Sequence, residues 1–459
     1  MGAFDVLVRN GRLVSSTGIG RADIAIVDGL IAEIGPDLDG GAGAEIDATG
    51  LHVFPGLVDP HVHLNDPGRS EWEGFSSGTA AFAAGGGTCL FDMPLNASPP
   101  TLDGASFDLK LEASRGRSFV DFCLWGGLVP GNVDRLDELA GRGVIGFKAF
   151  MCASGIDDFE AVDDDTLFEG MQRAAALGLP VAVHAEDEVI TSTLARIARA
   201  EGRTSVADYL ASRPAAAEIA AVARAIALAE ATGCALHVVH LSTGAAVALV
   251  AEARLRGVDV TCETCPHYLA LTAEDAERIG ALAKCAPPLR SAEEREDLWS
   301  RVLAGDVQMI GSDHSPAPQA LKQGDDAFAV WGGISGCQTV LGIVLGEGAD
   351  RGLTLSALAS LTSTAAAARF GLAQHKGRIE PGCDADLAIT DVEFRGRLDS
   401  GDLLYRHPHS PFAGSLLRGR VVRTLLRGQT VAANGRATEE RPGGRLVRPE
   451  PGHRDSKYA

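Results

Sequence analysis

Positive charge is scarce in this sequence, where 41 Lys and Arg residues face 61 Asp and Glu residues for a formal net charge of −20. Electrostatic binding to nucleic acid or to an anionic membrane surface depends on clustered Lys and Arg. The charge balance therefore excludes both as principal partners. It favours a small molecule as the substrate or ligand.

The sequence also lacks a long uninterrupted apolar run. Its most apolar region, residues 234–250, is broken by His237, His240, Ser242 and Thr243, so it does not have the composition of a membrane span. The first residues have neither the basic flank and apolar core of a signal peptide nor the Ser or Thr of a myristoylation motif. These absences predict a cytoplasmic protein.

A disulfide framework is not expected either. The nine cysteines are an odd number scattered over a long chain, whereas disulfide scaffolds are short chains with regular cysteine spacings. Cys262 and Cys265 have C-x-x-C spacing, but no second ligand pair follows at the distance that a structural zinc site needs. The cysteines are therefore expected to be reduced thiols.

Aromatic residues are few, at 5% of the chain, while glycine is abundant with 55 residues. Such a composition suits close helix packing in an α/β protein. Residues 55–370 alternate apolar β-branched runs with Ala-rich helical stretches such as 76–84 and 215–232, a pattern typical of a parallel sheet. Eight predicted strands end near His63, Asp92, Trp125, Lys148, His184, His240, Glu263 and Asp313. Eight such units predict a (β/α)8 TIM-type barrel.

The two ends of the chain have a different sequence pattern from the middle. Residues 4–50 consist of short β-type runs, and the pairs Asn10-Gly11 and Asp28-Gly29 between them favour tight hairpin turns in an antiparallel sheet. Similar runs return after residue 385. We therefore expect a small β-sandwich built from residues 1–54 and 371–459, the latter including a tail, around a barrel at 55–370.

Potential metal ligands recur where the predicted strands end. His61 and His63 project to the same side of strand 1, about 6 to 7 Å apart. In a TIM-type barrel the carboxyl ends of all strands meet at one rim, which carries the active site. Nitrogen and oxygen ligands of this mix suit zinc, and also manganese, iron or cobalt. The predicted ligands are His61, His63, Lys148, His184, His240 and Asp313.

Lys148 is an unusual candidate ligand, because an ammonium group has no lone pair to offer a cation. Burial and nearby positive charge both depress a lysine pKa and free the amine. Lys148 stands between Phe147 and Ala149, followed by Phe150. This apolar context favours a buried amine over a surface ion pair.

In these ligands the chain resembles the cyclic amidohydrolases, which include hydantoinases and dihydroorotases. The resemblance extends over most of the chain and is closest to the allantoinase family. The segments that carry it are PGRSEWEG (67–74), DMPLN (92–96), CETCPHY (262–268), SDHSP (312–316), WGGISG (331–336) and YRHPHSP (405–411).

The resemblance implies two divalent metal ions, with zinc favoured over cobalt, manganese or iron, bridged by a carboxylated Lys148. It places one ion between His61, His63, Asp313 and the carbamate, and the other between the carbamate, His184 and His240. It implies that Asp313 is the catalytic proton carrier, the alternative being a role as ligand only. It also implies a homotetramer.

The reaction implied by the resemblance is hydrolysis of the cyclic amide of allantoin to give allantoate. Dihydroorotases usually carry an arginine two residues after the second histidine, and this chain has Asn65 there. A carboxylate substrate would lose a charge-assisted hydrogen bond worth about 1.5 to 3 kcal/mol. A neutral cyclic ureide fits better.

Substrate contacts are expected from loops, because related enzymes hold the ring largely through backbone groups. The predicted contacts are Asn96, Ala286, Ser315 and Gly332. For His267 and His314, which follow strands 7 and 8, contact with substrate and orientation of a ligand or loop both stay open.

Other functions compete with this interpretation. A hydantoinase or dihydropyrimidinase would perform the same chemistry on another neutral ring, and a dihydroorotase is disfavoured by Asn65. From a different class, a catalytically silent oligomeric scaffold would have lost ligands. This chain has all six.

Overall fold

A computed structural model describes residues 4–438 and 442–450, so parts of the predicted C-terminal tail, 439–441 and 451–459, lie outside the described residues. The strands are β1 Phe4–Ser15, β2 Gly18–Val27, β3 Leu30–Gly35, β4 Ala42–Asp47, β5 His52–Pro55, β6 Leu57–Val62, β7 Gly87–Asp92, β8 Asp121–Leu124, β9 Gly126–Gly127, β10 Phe147–Phe150, β11 Val181–His184, β12 Leu236–Val238, β13 Val260–Thr264, β14 Met309–Ile310, β15 Leu387–Arg397, β16 Leu416–Leu426, β17 Gln429–Ala433 and β18 Arg436–Ala437.

The helices are α1 Phe75–Ala84, α2 Gly104–Ser114, α3 Leu136–Arg142, α4 Asp164–Ala176, α5 Glu188–Ala200, α6 Val206–Ala211, α7 Ala215–Thr232, α8 Gly244–Leu255, α9 Pro266–Ala270, α10 Ala273–Ile279, α11 Ala292–Ala304, α12 Val340–Ala349, α13 Leu355–Ala359 and α14 Ala365–Arg369. Short 3₁₀ turns include Gly280–Ala283 and Gln319–Lys322. None of the described helices is long and apolar enough to cross a membrane.

Two parallel sheets form the middle of the chain. One has the order β6-β7-β8, and the other has the order β14-β13-β12-β11-β10-β9. Only Trp125 separates β8 from β9, and at the other edge Val62 forms a parallel bridge with His314. The carboxyl ends of these strands therefore face one region. All eight predicted strand segments contain a strand, and the helices predicted at 76–84 and 215–232 are confirmed as α1 and α7.

Two of these strands differ in extent from the prediction. The sequence predicts a fourth strand from Val144 to Lys148, but β10 is Phe147–Phe150, because the N–H of Val144 bonds to Leu139 at the end of α3. Lys148 therefore lies within the strand and is not its last residue. Strand 6 was expected to reach His240, but β12 ends at Val238 and His240 has a φ of 40°, outside the extended region.

Both ends of the chain join one nine-stranded sheet, in which β5 pairs with β15. The predicted turn at Asp28-Gly29 connects β2 to β3 as expected. The turn predicted at Asn10-Gly11 is wrong, because β1 continues through it as a bulge with Asn10 at a φ of 63°. The sheet is mixed and not antiparallel, since β4 and β5 run parallel to β1.

A buried lysine joins this terminal sheet to the parallel strands. The Nζ atom of Lys376 lies 2.6 Å from Asp121 on β8, 2.7 Å from Asp384 and 2.7 Å from Asp386. These three carboxylates would otherwise resemble a cation site, but the ammonium group already neutralises part of their charge. All nine cysteines lie in the described part of the chain, where they are buried and form no disulfide bond.

Candidate metal centre

Two histidines and an aspartate meet where β6 and β14 end. The Nε2 atoms of His61 and His63 lie 3.4 Å and 3.5 Å from the same oxygen of Asp313. All three residues are buried, and each offers one ligand atom within 4.8 Å of the other two. Asp313 has a φ of 43°, a sparsely populated conformation for a residue other than glycine, which is often found at functional sites.

A second pair of histidines lies beside this cluster. The Nδ1 atom of His184 is 3.1 Å from the Nε2 atom of His240, and the ring of His240 lies 5.2 Å from that of His61. Burial lowers the pKa of His61, His184 and His240. Neutral imidazoles keep a lone pair for a metal ion.

Lys148 completes the group of predicted ligands. It is fully buried, and its Nζ atom has no hydrogen-bond partner within the described part of the chain. Burial lowers the pKa of Lys148 to about 7, although the charges of Glu263 and Asp313 oppose this shift. A large fraction of the amine is therefore neutral near neutral pH and able to react with carbon dioxide.

His61 is held by the carboxylate of Glu263, for which the sequence predicted no function. Glu263 on β13 lies 2.6 Å from His61 Nδ1 through one oxygen and 3.2 Å from His237 Nε2 through the other. Burial opposes ionisation, but His61 and His237 nevertheless lower the pKa of Glu263 to about 2. The carboxylate favours a proton on His61 Nδ1 and leaves Nε2 to face Asp313. Strand alternation predicts that His237, three residues before His240, faces the covering helices, but the structure places it against this carboxylate.

A second carboxylate holds His184 in the same way. Glu186 lies 2.8 Å from His184 Nε2 and also accepts a hydrogen bond from Arg213. Sequence reasoning missed both residues. The position of Glu186 two residues after His184 was an available signal, because alternate residues of a strand share a side. Arg213 lies in the connection between α6 and α7, where no pattern points to it.

A cavity of about 490 Å³ opens onto this site, and its wall includes His61, His63, His184, Arg213, His240 and Asp313. Its wall includes all four predicted substrate contacts, Asn96, Ala286, Ser315 and Gly332. Asn65 is 1% exposed and donates a hydrogen bond to the carbonyl of Pro316, so its side chain supports the rim.

The two remaining histidines of the rim lie outside the cavity wall. His314 accepts a hydrogen bond from the N–H of Gly336 through Nδ1, which indicates a role in orienting that loop. His267 is buried, and neither of its ring nitrogens has a hydrogen-bond partner among residues 4–438 and 442–450.

Comparisons with known proteins agree with this geometry. Residues 52–431 match the model of the amidohydrolase family. The chain is 61% identical to an allantoinase of Rubrobacter xylanophilus, over 93% of each chain, and 53% identical to an allantoinase of Solibacter usitatus, over 92% of each.

A solved structure with a similar fold is the L-hydantoinase (dihydropyrimidinase) of Arthrobacter aurescens, with a TM-score of 0.94 and 39% identity, covering 97% of this chain and 100% of that one. Another is the dihydropyrimidinase of Brevibacillus agri, with a TM-score of 0.91 and 32% identity, covering 98% and 99%. Since the family model spans most of the sequence and these relatives match it nearly from end to end, the chain belongs to the amidohydrolase family.

Proposed function

We propose that this chain hydrolyses the cyclic amide bond of allantoin to give allantoate. The observation that carries the proposal is the cavity whose wall combines His61, His63, His184, His240 and Asp313 with the predicted substrate loops. Relatives that are named allantoinase, at 53% and 61% identity, support the choice of substrate.

The residues present fit a pair of divalent metal ions. Lys148 Nζ is buried without a partner, and the ring nitrogens of His184 and His240 face each other. His61, His63 and Asp313 would hold one ion and His184 and His240 the other, with a carboxylated Lys148 between them. Zinc suits this donor set best, with cobalt, manganese and iron as alternatives. Bound ions would supply Lewis acidity toward a carbonyl oxygen and lower the pKa of water.

Asp313 is the residue of this chain placed to move a proton. Burial opposes ionisation, but His61 and His63 lower the pKa of Asp313, so the carboxylate is ionised at neutral pH. A carboxylate at the cavity wall can take a proton from the attacking water and give it to the ring nitrogen, which leaves poorly as an anion. Asp313 would thus act first as base and then as acid.

Three uncharged polar residues at or next to the cavity wall suit a neutral ring. Asn65 takes the place where dihydroorotases usually have arginine, and its amide is already bonded to Pro316. Asn96 and Ser315, whose side chains are 3.5 Å apart, offer neutral hydrogen-bonding groups at the cavity wall. These contacts favour a cyclic ureide without a carboxylate.

A substrate panel tests the proposed function. Purified enzyme assayed with allantoin, hydantoin, dihydrouracil and dihydroorotate should have its highest kcat/KM with allantoin. For dihydroorotate we expect a kcat/KM at least about tenfold lower than for the neutral rings, from the missing charge-assisted contact of about 1.5 to 3 kcal/mol. Robust opening of hydantoin without turnover of allantoin would contradict the proposal.

The second candidate is a hydantoinase or dihydropyrimidinase. The TM-score of 0.94 to the Arthrobacter aurescens L-hydantoinase (dihydropyrimidinase) favours it. The same panel distinguishes the two functions, because the candidates differ in the ring and not in the chemistry. A catalytically silent scaffold is disfavoured by the intact set of six ligand residues.

Glu263 gives a test that does not depend on turnover. Replacing Glu263 with Ala removes the group that orients His61, and loss of such a partner typically weakens metal binding by about 10- to 100-fold. Glu263→Gln is the matched control, because it keeps an acceptor for His61 Nδ1, and we expect a smaller loss. Competition with a chelator measures both affinities. Wild-type affinity in a folded Glu263→Ala protein would contradict the role.

We also propose a complete architecture. The two parallel sheets meet at Trp125 on one side and at the Val62–His314 bridge on the other. These two links support a closed eight-stranded barrel at 55–370. Residues from both chain ends, including Ile24, Val53 and Leu387, share one apolar cluster, which supports a β-sandwich of 1–54 and 371–459. A homotetramer agrees with the family resemblance, and a location in the cytoplasm agrees with the sequence patterns described above.

A further inference from the structure

The segment 328–333 lines the cavity, and two of its residues offer only backbone groups. Gly333 has a φ of 110°, and a Cβ atom there would lie 2.5 Å from the carbonyl oxygen of Ser315, so only glycine fits. Gly332 and Gly333 can therefore contact a ring only through the main chain. The position of the Gly332–Gly333 main chain is therefore set by the groups that hydrogen-bond to this segment.

The side chain of Lys322 holds this segment from behind. It is 6% exposed, and its Nζ atom donates hydrogen bonds to the carbonyl oxygens of Gly333 at 2.5 Å, Trp331 at 3.1 Å and Ala281 at 3.4 Å. A single ammonium group thus ties the carbonyls on both sides of Gly332 to the 3₁₀ turn Gly280–Ala283.

Lys284 fixes the same segment from the other direction. Its carbonyl accepts the N–H of Gly333 at 2.8 Å, and its ammonium group donates to the carbonyl of Val330 at 2.5 Å. Trp331 is held as well, because its N–H bonds to the carbonyl of Leu321 at 2.8 Å. Within residues 4–438 and 442–450, the N–H and C=O of Gly332 have no hydrogen-bond partner. These two groups are left for a ligand.

A donor and an acceptor on one residue complement the N–H and C=O of a cyclic ureide. Lys322 donates only to carbonyl oxygens among the residues that the structure describes, and burial lowers its pKa to about 7, with the charge of Lys284 adding to the effect. A buried ammonium group held only by neutral carbonyls is costly for the fold. An apolar side chain would leave the carbonyl oxygens of Trp331 and Gly333 without this donor, so the ammonium group serves to hold that backbone in place.

We propose that Lys322 is a positioning residue, which fixes the backbone of Gly332 so that its free N–H and C=O bind the ring of the substrate. Lys322 does not itself contact the ring. The identity of the ligand, a cyclic ureide, rests on the proposed function. The ordering of segment 328–333 by Lys322 does not.

Kinetics of Lys322→Met test the proposal. This side chain has a similar length but no donor, so we expect KM for allantoin to rise about tenfold or more, as for loss of one or two hydrogen bonds. The value of kcat should change by less than about threefold, because binding of ground state and transition state is lost together. Metal content should stay at the wild-type level.

Leu321→Ala is the matched control, because Leu321 is 37% exposed and contributes its backbone carbonyl, which the substitution keeps. Its KM should equal that of the wild type. A Lys322→Met protein with wild-type KM would overturn the proposal.

If Lys322→Met does not fold, Lys322→Arg decides, because a planar guanidinium group cannot replace the compact ammonium group among three carbonyls. A wild-type KM for Lys322→Arg would then overturn it.

Amide hydrogen exchange separates this inference from the proposed function. In Lys322→Met, or in Lys322→Arg if only that variant folds, peptides covering 328–336 should exchange faster than in the wild type, while peptides covering β10 and β11 should not change. Unchanged protection of 328–336 would overturn the inference. If the wild type opens no cyclic ureide, the proposed function fails, and the exchange measurement still decides whether Lys322 orders the segment.

Discussion

Replacement of Lys148 with alanine is expected to abolish turnover and to remove bound metal at the same time. Lys148 is buried close enough to His61, His184 and His240 for its charge to lower their pKa values, and its amine has no hydrogen-bond partner in the described part of the chain. Without the bridging carbamate, neither ion keeps its full ligand set. We expect kcat to fall by about 10³ or more, equivalent to about 4 kcal/mol of transition-state stabilisation. Metal analysis of the purified variant should find less than half of the wild-type content.

The stability of the metal-free protein separates this effect from misfolding. Since Lys148 Nζ is buried without a hydrogen-bond partner, Lys148→Met should not lower the Tm of the metal-free protein. Short-chain carboxylic acids should partly restore Lys148→Ala, because they can fill the space of the lost carbamate. Full activity of Lys148→Ala without any added acid would contradict the bridging role.

Asp313→Asn is expected to lower kcat by about 10² to 10⁴, the usual contribution of a positioned acid or base. The amide keeps the shape of the carboxylate but cannot accept and return a proton. If Asp313 were only a ligand, loss of activity would parallel loss of metal, and saturating metal would restore it. We expect kcat to stay low at saturating metal.

Asp59→Asn is the matched control for this substitution. Asp59 is also buried at the cluster, where it accepts hydrogen bonds from the backbone N–H groups of His61 and Ser312. Burial raises the pKa of Asp59 to about 7, so a neutral amide resembles a form that is populated at neutral pH. We expect its kcat to stay within about tenfold of the wild-type value, since a lost or altered neutral hydrogen bond costs about 0.5 to 1.5 kcal/mol.

That the proposed ligand residues lie close together could be predicted, because two simple rules govern their placement. Alternate residues of a strand share a side, and the ends of parallel strands share a rim. His61, His63, His184 and Asp313 follow directly from these rules. His240 illustrates their limit, because its φ of 40° is set by the connection to α8 and not by the strand pattern.

The residues that hold the proposed ligands and the segment 328–333 were less predictable. Glu186 could have been found from its position two residues after His184, whereas Arg213 and Lys322 are charged residues whose sequence context resembles that of many surface positions. Their roles come from burial and from partners distant in the chain, such as the 27 positions between Glu186 and Arg213. The bulge at Asn10-Gly11 has a related cause, since a residue with positive φ suits both a hairpin turn and a bulge.

The Lys376 junction has a consequence for the order of folding during synthesis. Asp121 and Lys376 are 255 positions apart, so the ribosome adds the lysine about 13 to 50 s after the aspartate at about 5 to 20 residues per second. Until then β8 carries a carboxylate without its principal counter-ion. We therefore expect the nascent parallel sheet to stay incomplete at β8 until the last quarter of the chain emerges, which makes this strand a candidate contact for chaperones.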